Sequence, residues 1–438
     1  MYLKRSIDNT LFDWKTDNYK KPLLLRGARQ VGKTKSIREF AKSFKYFLEI
    51  NFEENPDICK IFEKDLSPKR ICEELSIFFS TPIIENETLL FFDEIQQCIP
   101  AIKSLRFFYE KKQALHVIAA GSLLEFALEQ ISSFGVGRIR SIYMYPLSFD
   151  EFLKANNEQR LLDLKKKSSA ENPISKLLHE KLLDYLKTFI ILGGMPEVVA
   201  NYIINKDFNK CRLILDDLLF SFQDDFAKYK NNVPVSRLRE VFDSVIMQTG
   251  SKFIYSKAAK HVNHRQIKEA LNLLILSGLV IPVTHSSANG LPLGAETNPK
   301  KQKMLIFDTG ILLRILDLAI EEIFYTNDFD TINKGNIAEL FTGLELIKYH
   351  SSYKKVNLYY WHREAKSSNA EIDYLISKKR KIYPIEVKSG KKGSMQSMYI
   401  FLKEKKNEKG IRVSLENFSK YEKIDVYPLY AVSNILNS

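Results

Sequence analysis

The first third of the chain alternates short apolar runs with stretches in which apolar residues recur every three or four positions. The apolar runs are "PLLLRG", "TLLFFDE" and "LHVIAAGS", and the helically spaced stretches are "KTKSIREFAKSF" and "AIKSLRFFYEKKQ". Strands that are apolar throughout are typical of a parallel sheet, because helices cover both of its faces. The pattern therefore predicts a three-layer α/β domain of the nucleotide-binding type over residues 1–152.

From about Leu153 the apolar positions change to helical spacing, with turns predicted at "KKKSSAENP" and "LGGMP". Between Ser251 and Val283 the pattern gives a short helix, a turn, a second helix capped by Asn263, and a strand. The segment "THSSANGLPLGAETNPKKQK" then reads as a wing loop or linker. This order is typical of a winged helix-turn-helix, so we expect a helical and winged-helix region over residues 153–300.

On the second helix of this segment, Ile267, Ala270, Leu271 and Leu274 form one apolar stripe. The opposite face presents three residues in the position of a recognition helix: His264, Arg265 and Lys268. Contact with DNA and use of the module for domain packing or protein contact both remain open, because such modules are often reused.

Residues 301–438 return to mixed α/β spacing, and "AEIDYLISKKRKIYPIEVKSG" predicts a hairpin. Centring its turn on Lys379 and Arg380 brings apolar residues together on one face, which supports the register. The three apolar pairs are Tyr374 with Ile385, Ile372 with Val387, and Ile376 with Tyr383.

The opposite face of the hairpin sets Asp373 against Glu386 and Glu371 against Lys388, because strand side chains alternate. Facing carboxylates repel unless a cation lies between them or one keeps its proton. Asp373, Glu386 and Lys388 also form the D…E-x-K pattern of a metal-dependent nuclease core, and Glu339 on an upstream helix offers a further ligand. The alternative is a half-exposed hairpin with a salt bridge between Glu371 and Lys388.

The segment "GARQVGKT" satisfies the phosphate-loop pattern G-x-x-x-x-G-K-[ST] between a strand and a helix. Its backbone N–H groups would surround phosphates, Lys33 would neutralise the β and γ groups, and the Thr34 hydroxyl would ligate Mg²⁺. The predicted nucleotide-binding residues of this loop are Gly27, Ala28, Arg29, Gln30, Val31, Gly32, Lys33 and Thr34.

The run "TLLFFDE" follows some sixty residues later and ends in two acids. Beside a phosphate loop, Asp93 is the expected Mg²⁺ partner and Glu94 the residue that orients or activates the attacking water. Ser122 ends the next predicted strand, near the expected γ-phosphate. Arg138 and Arg140 could reach a nucleotide in the same or a neighbouring subunit, and surface salt bridges would explain both arginines as well.

The composition favours a polyanionic partner without requiring one. The 438 residues include 66 basic and 53 acidic residues, which gives a net charge of +13. Excess lysine can also serve solubility alone. No apolar run is long enough to span a membrane and the first residues lack the apolar segment of a signal peptide, so we expect a cytoplasmic protein. The four cysteines have neither close pairing nor metal-ligand spacing, so we expect free thiols.

Seven segments together resemble one family, the AAA-type ATPases of bacteria and archaea that carry a C-terminal domain of unknown function. They are "RGARQVGKT", "LLFFDEIQ", "AAGSLLEF", "GRIRSIYMYPLSFDEF", "LGGMPEVV", "FDTGIL" and "AEIDYL…IEVKSG". The resemblance covers nearly the whole chain. It implies a P-loop ATPase core, a helical and winged-helix middle, and a C-terminal domain similar to restriction endonucleases. The sensor strand departs from the family, because similar proteins often have a threonine before the glycine of "AAGSLL" and a second serine after it.

The family pattern supports nucleotide binding by Gly27, Gly32, Lys33 and Thr34, Mg²⁺ binding and hydrolysis by Asp93 and Glu94, and a nuclease-like site at Glu339, Asp373, Glu386 and Lys388. The predicted catalytic residues are Lys33, Glu94, Asp373, Glu386 and Lys388. The metal ligands that the pattern implies are Thr34, Asp93, Glu339, Asp373 and Glu386. We therefore expect an ATPase that uses ATP and Mg²⁺ and acts on or with nucleic acid, with DNA favoured and strand cleavage left open. The alternative is a nucleotide-dependent switch that binds a protein partner and has a catalytically silent C-terminal domain. A homo-oligomer is compatible with either.

Overall fold

The alternating pattern of the first third folds as alternating strands and helices. The computed structural model describes residues 1–129, 131, 137–229, 233–259, 262–317, 334–363, 369–390 and 394–437. These residues form two compact units. The first comprises Met1–Pro146, Leu276–Gly278 and Ser351–Lys355, and the second comprises Leu147–Ile275, Leu279–His350 and Val356–Ser438.

The first unit has a five-stranded parallel sheet in the order β2-β3-β4-β1-β5. Its strands are β1 (Leu23–Arg26), β2 (Tyr46–Asn51), β3 (Thr88–Asp93), β4 (His116–Ala120) and β5 (Arg140–Tyr143). Its helices are α1 (Ser6–Thr16), α2 (Lys33–Ala41), α3 (Cys59–Lys64), α4 (Pro68–Phe78), α5 (Ile99–Lys111) and α6 (Leu124–Glu129). The predicted parallel sheet is confirmed.

The strand order of the first unit determines which loops meet. β4 pairs with β1 on one side and with β3 on the other, and all three run in the same direction. Their carboxyl ends therefore lie at one edge of the sheet. β3 and β4 are buried along their whole length, so the polar residues that follow these strands are fixed by a rigid core.

The second unit has an eight-stranded sheet in the order β12-β13-β11-β10-β9-β8-β6-β7. The strands are β6 (Val280–Ser286), β7 (Thr297–Ile306), β8 (Leu358–His362), β9 (Glu371–Lys378), β10 (Lys381–Val387), β11 (Gly410–Ser414), β12 (Ser419–Tyr421) and β13 (Ile424–Pro428). The helices from residue 147 onward are α7 (Phe149–Ala155), α8 (Gln159–Lys167), α9 (Lys176–Leu192), α10 (Pro196–Asn205), α11 (Phe208–Asp225), α12 (Val235–Met247), α13 (His264–Leu276), α14 (Thr309–Ile315), α15 (Lys334–Lys348), α16 (Gln396–Glu404) and α17 (Val432–Asn437).

The segment 284–303, which the sequence predicted as a wing loop or linker, includes the end of β6 and the first seven residues of β7, with a loop between them. β6 and β7 form an antiparallel pair with an irregularity after Thr284, and β6 also pairs in parallel with β8. Alternation of polar and apolar residues is weak in this segment, and its lysines and prolines concealed the strand. The sheet thus continues through the position predicted as a boundary between residues 300 and 301, and the three-domain division stays a prediction.

The hairpin of β9 and β10 has the predicted register. Tyr374 pairs with Ile385 and Tyr383 with Ile376. Lys379 and Arg380 form the turn, with φ values of 47° and 62°. Two consecutive positive φ values are the requirement of a type I′ turn, whose twist matches that of the strands it joins.

Two of the sequence motifs meet inside the second unit. Gly193, between α9 and α10, has a φ of 71°, and a Cβ there would lie 2.0 Å from Asp308 Oδ1. Gly194 N donates to Asp308 Oδ2 at 2.7 Å, and Asp308 also caps α14 by accepting from Ile311 N. The segments "LGGMP" and "FDTGIL" therefore contact each other directly. This close contact requires glycine at position 193, because a Cβ there would overlap Asp308.

Helix α13 has the predicted faces. Its four apolar residues Ile267, Ala270, Leu271 and Leu274 are buried, and the predicted recognition residues His264, Arg265 and Lys268 are exposed. Asn263 accepts a hydrogen bond from Gln266 N at 2.9 Å, as an N-cap does.

Candidate functional site

The phosphate loop connects β1 with α2 in a conformation that depends on glycine. Gly27 has a φ of 144° and Gly32 a φ of 97°, and a Cβ at Gly27 would lie 2.1 Å from the carbonyl oxygen of Met144. The loop is held by Arg5, whose guanidinium donates to Val31 O at 3.0 Å and to Tyr145 O at 2.6 Å. Arg5 was not predicted from the sequence, because nothing in its neighbourhood resembles a motif.

Lys33 opens helix α2 and folds back over the loop. Its Nζ donates to the carbonyl oxygens of Gly27 at 2.9 Å and Ala28 at 2.8 Å. Burial lowers the pKa of this ammonium to about 8, against the opposing effect of Glu94 and Asp93. A phosphate entering the loop would offer Lys33 a charged partner in place of two neutral carbonyl groups.

Thr34 and Asp93 meet across the sheet edge, as the sequence predicted. The Thr34 hydroxyl donates to Asp93 Oδ2 at 2.9 Å. Asp93 is 5% exposed, and burial raises the pKa of its carboxyl to about 6. A hydroxyl and a carboxylate within hydrogen-bond distance are hard oxygen ligands, and Mg²⁺ in nucleotide sites takes few protein ligands beside phosphate and water. These two residues fit a Mg²⁺ ion.

Glu94 directly follows β3, and its carboxylate bonds Ser122, which follows β4, and Gln96. Its backbone has a φ of 48°. Its Oε2 accepts from Ser122 Oγ at 2.9 Å, from Ser122 N at 3.2 Å and from Gln96 Nε2 at 2.5 Å. The sequence predicted Ser122 for phosphate, whereas in this structure its hydroxyl bonds Glu94. Gln96 was not predicted as a site residue. Its position two residues after Glu94 is the sequence signal that could have indicated it.

Arg138 and Arg140 lie at the opposite edge of the sheet. Arg140 is the first residue of β5 and pairs with Leu23, the first residue of β1. It forms an ion pair with Asp17 at 3.1 Å, while Arg138 pairs with Glu110. The structure does not bring either arginine to the phosphate loop of its own chain, since that loop follows the carboxyl end of β1.

Three regions of the chain match family models. Residues 19–153 match the AAA domain family. This part of the chain is similar to AAA domains and is called the AAA domain below. Residues 183–322 match a domain of unknown function, DUF8612, and residues 334–432 match another, DUF4143. The AAA domain therefore carries the phosphate loop together with Asp93, Glu94 and Ser122.

Relatives beyond these family models were also found. An uncharacterized protein of Methanocaldococcus jannaschii is 32% identical over 177 residues, which are 40% of this chain and 35% of that protein. The chain thus spans about a third of the length of this curated relative. A Walker-type ATPase of Pyrococcus abyssi has 14% identity and a TM-score of 0.47, over 72% of this chain and 96% of that one. The Orc1 protein of Aeropyrum pernix, solved in complex with DNA, has 12% identity and a TM-score of 0.29, over 72% and 90%.

Outside the AAA domain, the predicted acidic residues gather around a lysine that the sequence analysis missed. Lys303 on β7 is 1% exposed and lies 2.8 Å from Glu339 Oε1 and 3.7 Å from Asp373 Oδ1. It also forms an ion pair with Glu371. The structure therefore brings Glu339 and Asp373 together from α15 and β9, as expected, with an ammonium group between them.

Glu386 and Lys388, the other two residues of the predicted nuclease-like site, form an ion pair with each other. Lys388 binds Glu386 Oε1 at 2.7 Å, whereas the register had set it opposite Glu371. The alternative of a half-exposed hairpin included a salt bridge between Glu371 and Lys388, whereas in the structure Glu371 pairs with the buried ammonium of Lys303. Burial raises the pKa of Glu386 despite the neighbouring Lys388.

The acidic residues as arranged do not fit a resident metal ion. In the parts of the chain that the structure describes, no group of three or more His, Cys, Asp and Glu side chains is arranged to hold a metal. Lys303 makes the contacts with Glu339 and Asp373 that a metal would require. Burial raises the pKa of both carboxyls, and Lys303 opposes this effect.

Among the described residues, none of the helices combines the length and apolar character that crossing a membrane requires.

Proposed function

We propose that this chain hydrolyses ATP and couples hydrolysis to an action on nucleic acid, in the cytoplasm. The observation that carries the ATPase half is the Thr34–Asp93 hydrogen bond beside Lys33, with Glu94 at the same sheet edge. The positions of these side chains suit a γ-phosphate bound over the loop. Lys33 would be the cation beside it, Thr34 and Asp93 the metal ligands, and Glu94 the base.

Each residue then has a stated task. Backbone N–H groups of the loop and the amino end of α2 bind the phosphates, and Lys33 leaves its carbonyl partners to neutralise the β and γ groups. A Mg²⁺ ion held by Thr34 and Asp93 would neutralise charge that develops on the phosphates. Glu94 orients the attacking water once its carboxylate leaves Ser122, and Ser122 then becomes free to contact the γ-phosphate.

The test is ATP turnover by the whole protein in Mg²⁺. Lys33→Ala is expected to abolish turnover, because the variant loses the ammonium that neutralises the β and γ groups. Lys35→Ala is the matched control, since Lys35 is exposed on the same helix. Turnover at the native rate in Lys33→Ala would overturn the assignment.

The nucleic-acid half of the proposal rests on charge and on α13. The net charge is +13, and α13 leaves His264, Arg265 and Lys268 exposed on one face. Arg265 is 88% exposed and pairs with its helix neighbour Glu269 at 3.1 Å, and a phosphate group could replace this exposed ion pair at little cost. In this proposal the short helical turn Tyr255–Lys257, α13 and the β6–β7 pair form a winged helix that contacts duplex DNA.

Salt dependence tests this half, because phosphate contacts release counterions. DNA binding should weaken steeply between low and moderate salt, and Arg265→Ala with Lys268→Ala should reduce the slope by about two. The control is Lys103→Ala with Arg106→Ala, which removes the same two charges at the same spacing from the exposed face of α5. Equal loss of binding in both double variants would show unspecific charge attraction only.

The C-terminal sheet with α15 is proposed as a restriction-endonuclease-like fold, with Asp373, Glu386 and Lys388 in the catalytic positions and Glu339 beside them. Strand cleavage in Mg²⁺ or Mn²⁺ is the corresponding activity, and it requires that Lys303 first leave Glu339 and Asp373. It should disappear in Asp373→Asn and in Glu386→Gln. Cleavage that persists in both variants would refute the assigned site.

One observation favours a second function. The ion pairs of Lys303 with the acidic residues suit a catalytically silent C-terminal module in a nucleotide-dependent switch that binds a protein partner. ATP turnover that does not respond to any nucleic acid at low salt would favour the switch. Turnover that rises with DNA, and falls again as salt is added, would favour the first function.

A further inference from the structure

Lys303 is the least expected member of the acidic cluster. It lies on β7, far in sequence from Glu371 and Asp373 on β9 and from Glu339 on α15, and its side chain is 1% exposed. The ring of Tyr360, itself buried, lies 5.3 Å from the Nζ atom. A buried ammonium is stable only where carboxylates or ring faces surround it, and this one has both.

We infer that Lys303 is a built-in competitor of divalent metal ions for the Glu339, Glu371 and Asp373 carboxylates, which leaves this chain with a weak metal site at the C-terminal acidic cluster. The inference deepens the proposed function at the same cluster and rests on its acidic residues, but not on cleavage.

Competition follows from the distances. The ammonium lies 2.8 Å from Glu339 Oε1 and 3.7 Å from Asp373 Oδ1. Mg²⁺ and Mn²⁺ bind carboxylate oxygens at about 2.1 Å, so an ion that bridged these two residues would come close to the Nζ atom. Two cations at such a separation repel strongly in a buried site. The metal therefore binds only when the lysine leaves.

The competition weakens metal binding without abolishing it, because Lys303 and Lys388 do not balance the charge of all the carboxylates. The second oxygen of Asp373 accepts from Val387 N at 2.7 Å. Glu386 is 4% exposed, and in the described part of the chain its Oε2 has no hydrogen-bond partner. Four carboxylates face only two lysines, counting Lys303 and Lys388, when all are ionised. We therefore expect weak binding of a divalent cation. The excess negative charge and the Oε2 atom of Glu386 favour the cation, and Lys303 opposes it.

The test measures Mn²⁺ binding by the nucleotide-free full-length chain, from the electron paramagnetic resonance signal of free Mn²⁺. Lys303→Met keeps the length of the side chain and removes its charge. It should bind one Mn²⁺ more tightly than the native chain by at least about tenfold, and adding Asp373→Asn should remove that gain. Lys300→Met, on the exposed part of the same strand, should behave as the native chain.

Two results would overturn the inference. One is equal Mn²⁺ affinity in Lys303→Met and in the native chain. The other is tight, micromolar binding by the native chain that Asp373→Asn abolishes. The second result needs no Lys303 variant, so the inference stays testable if Lys303→Met does not fold. In that event Lys303→Arg, which keeps the charge, should also bind weakly.

The readout separates this inference from the proposed function. Mn²⁺ binding in the absence of nucleotide and DNA requires neither ATP turnover nor strand cleavage. Tighter binding in Lys303→Met together with an inactive native chain would support the inference and refute cleavage. Unchanged binding together with metal-dependent cutting would support cleavage and refute the inference.

Discussion

The two polar sites of this chain both place a lysine among carboxylates, but they use it in opposite ways. In the AAA domain Lys33 bonds two backbone carbonyl groups, while Asp93 and Glu94 bond the hydroxyls of Thr34 and Ser122. In the C-terminal unit Lys303 bonds the carboxylates themselves. The first site keeps its charges apart with neutral partners, and the second has already neutralised part of its charge.

This difference determines how easily a ligand can displace the existing partners of each site. Replacing a neutral hydrogen bond by a charged one is favourable, so phosphate and Mg²⁺ can displace the partners within the AAA domain. Replacing a buried ion pair requires that a charged group leave its partner, which is costly. Readiness to bind, rather than the residue types present, therefore distinguishes the two sites.

The largest expected effect separates the two sites by their role in ATP turnover. Glu94→Gln should lower kcat by a factor of about 10² to 10⁴ while nucleotide still binds, because water is no longer oriented by a carboxylate. Asp373→Asn should leave turnover without nucleic acid within about twofold of the native rate. The measurement is steady-state turnover together with nucleotide binding at equilibrium.

A large loss of basal turnover in Asp373→Asn would break the comparison, since the second site would then contribute to the chemistry of the first. Asp93→Asn supplies a control, because it removes a carboxylate next to Glu94 and should weaken the binding of metal with nucleotide.

The next effect concerns stability. Removing the ammonium of Lys303 leaves buried carboxylates without their partner, so Lys303→Met should lower the free energy of unfolding by about 3–5 kcal/mol. Lys33→Met removes only bonds to carbonyl groups and should cost about 1 kcal/mol. Denaturant unfolding of both variants, with Lys300→Met as the exposed control, measures the difference. Equal losses in the two buried variants would contradict the contrast drawn here.

The third effect is a pH dependence carried by the first unit. His116 is 2% exposed, and burial lowers its pKa from 6.5 to about 4. The ring lies between Trp14 and Phe44, and its Nε2 is 3.1 Å from Lys20 Nζ and 3.2 Å from Lys15 O. The folded chain therefore keeps a neutral ring where the unfolded chain takes up a proton.

The sign follows from this difference. His116 contributes its full stability above pH 6.5, and that contribution is lost as the pH falls from 6.5 towards 4, by about 3 kcal/mol in total. Glu386 acts in the opposite direction, because its raised pKa lets the folded chain take up a proton first. Melting temperatures of native and His116→Gln chains between pH 7.5 and 4.5 test this. Parallel curves would exclude a contribution from His116.

How much the sequence predicted depends on how local each feature is. The phosphate loop, the faces of α13 and the hairpin register follow from residues within one or two elements, and all were predicted. The Thr34–Asp93 contact joins distant segments, but parallel strands bring their carboxyl ends to one edge, so topology made it predictable. Lys303 and Arg5 follow no such rule. Each reaches its site from an element whose pairing only the folded chain determines.

The missed strand explains the missed lysine. The sequence pattern predicts a loop or linker up to Lys303, so no face of a strand could be assigned to this residue. Once β7 pairs with β6, alternation directs Lys303 inward and leaves Lys300 exposed. A charged residue at an inward position of an edge strand can also prevent pairing with another sheet, which gives it two reasons to be there.

The smallest expected effect concerns the two arginines at the edge of the sheet opposite the phosphate loop. Arg138 and Arg140 lie in partly exposed ion pairs with Glu110 and Asp17. Replacing either arginine by alanine should therefore change the free energy of unfolding by less than about 1 kcal/mol.

Turnover at low protein concentration should stay within about twofold, because neither arginine reaches the nucleotide of its own chain. A loss of about a hundredfold or more that appears only at concentrations where the chain self-associates would instead identify an arginine supplied by a second subunit. Turnover per chain across a dilution series therefore decides between a surface ion pair and a site shared by two copies.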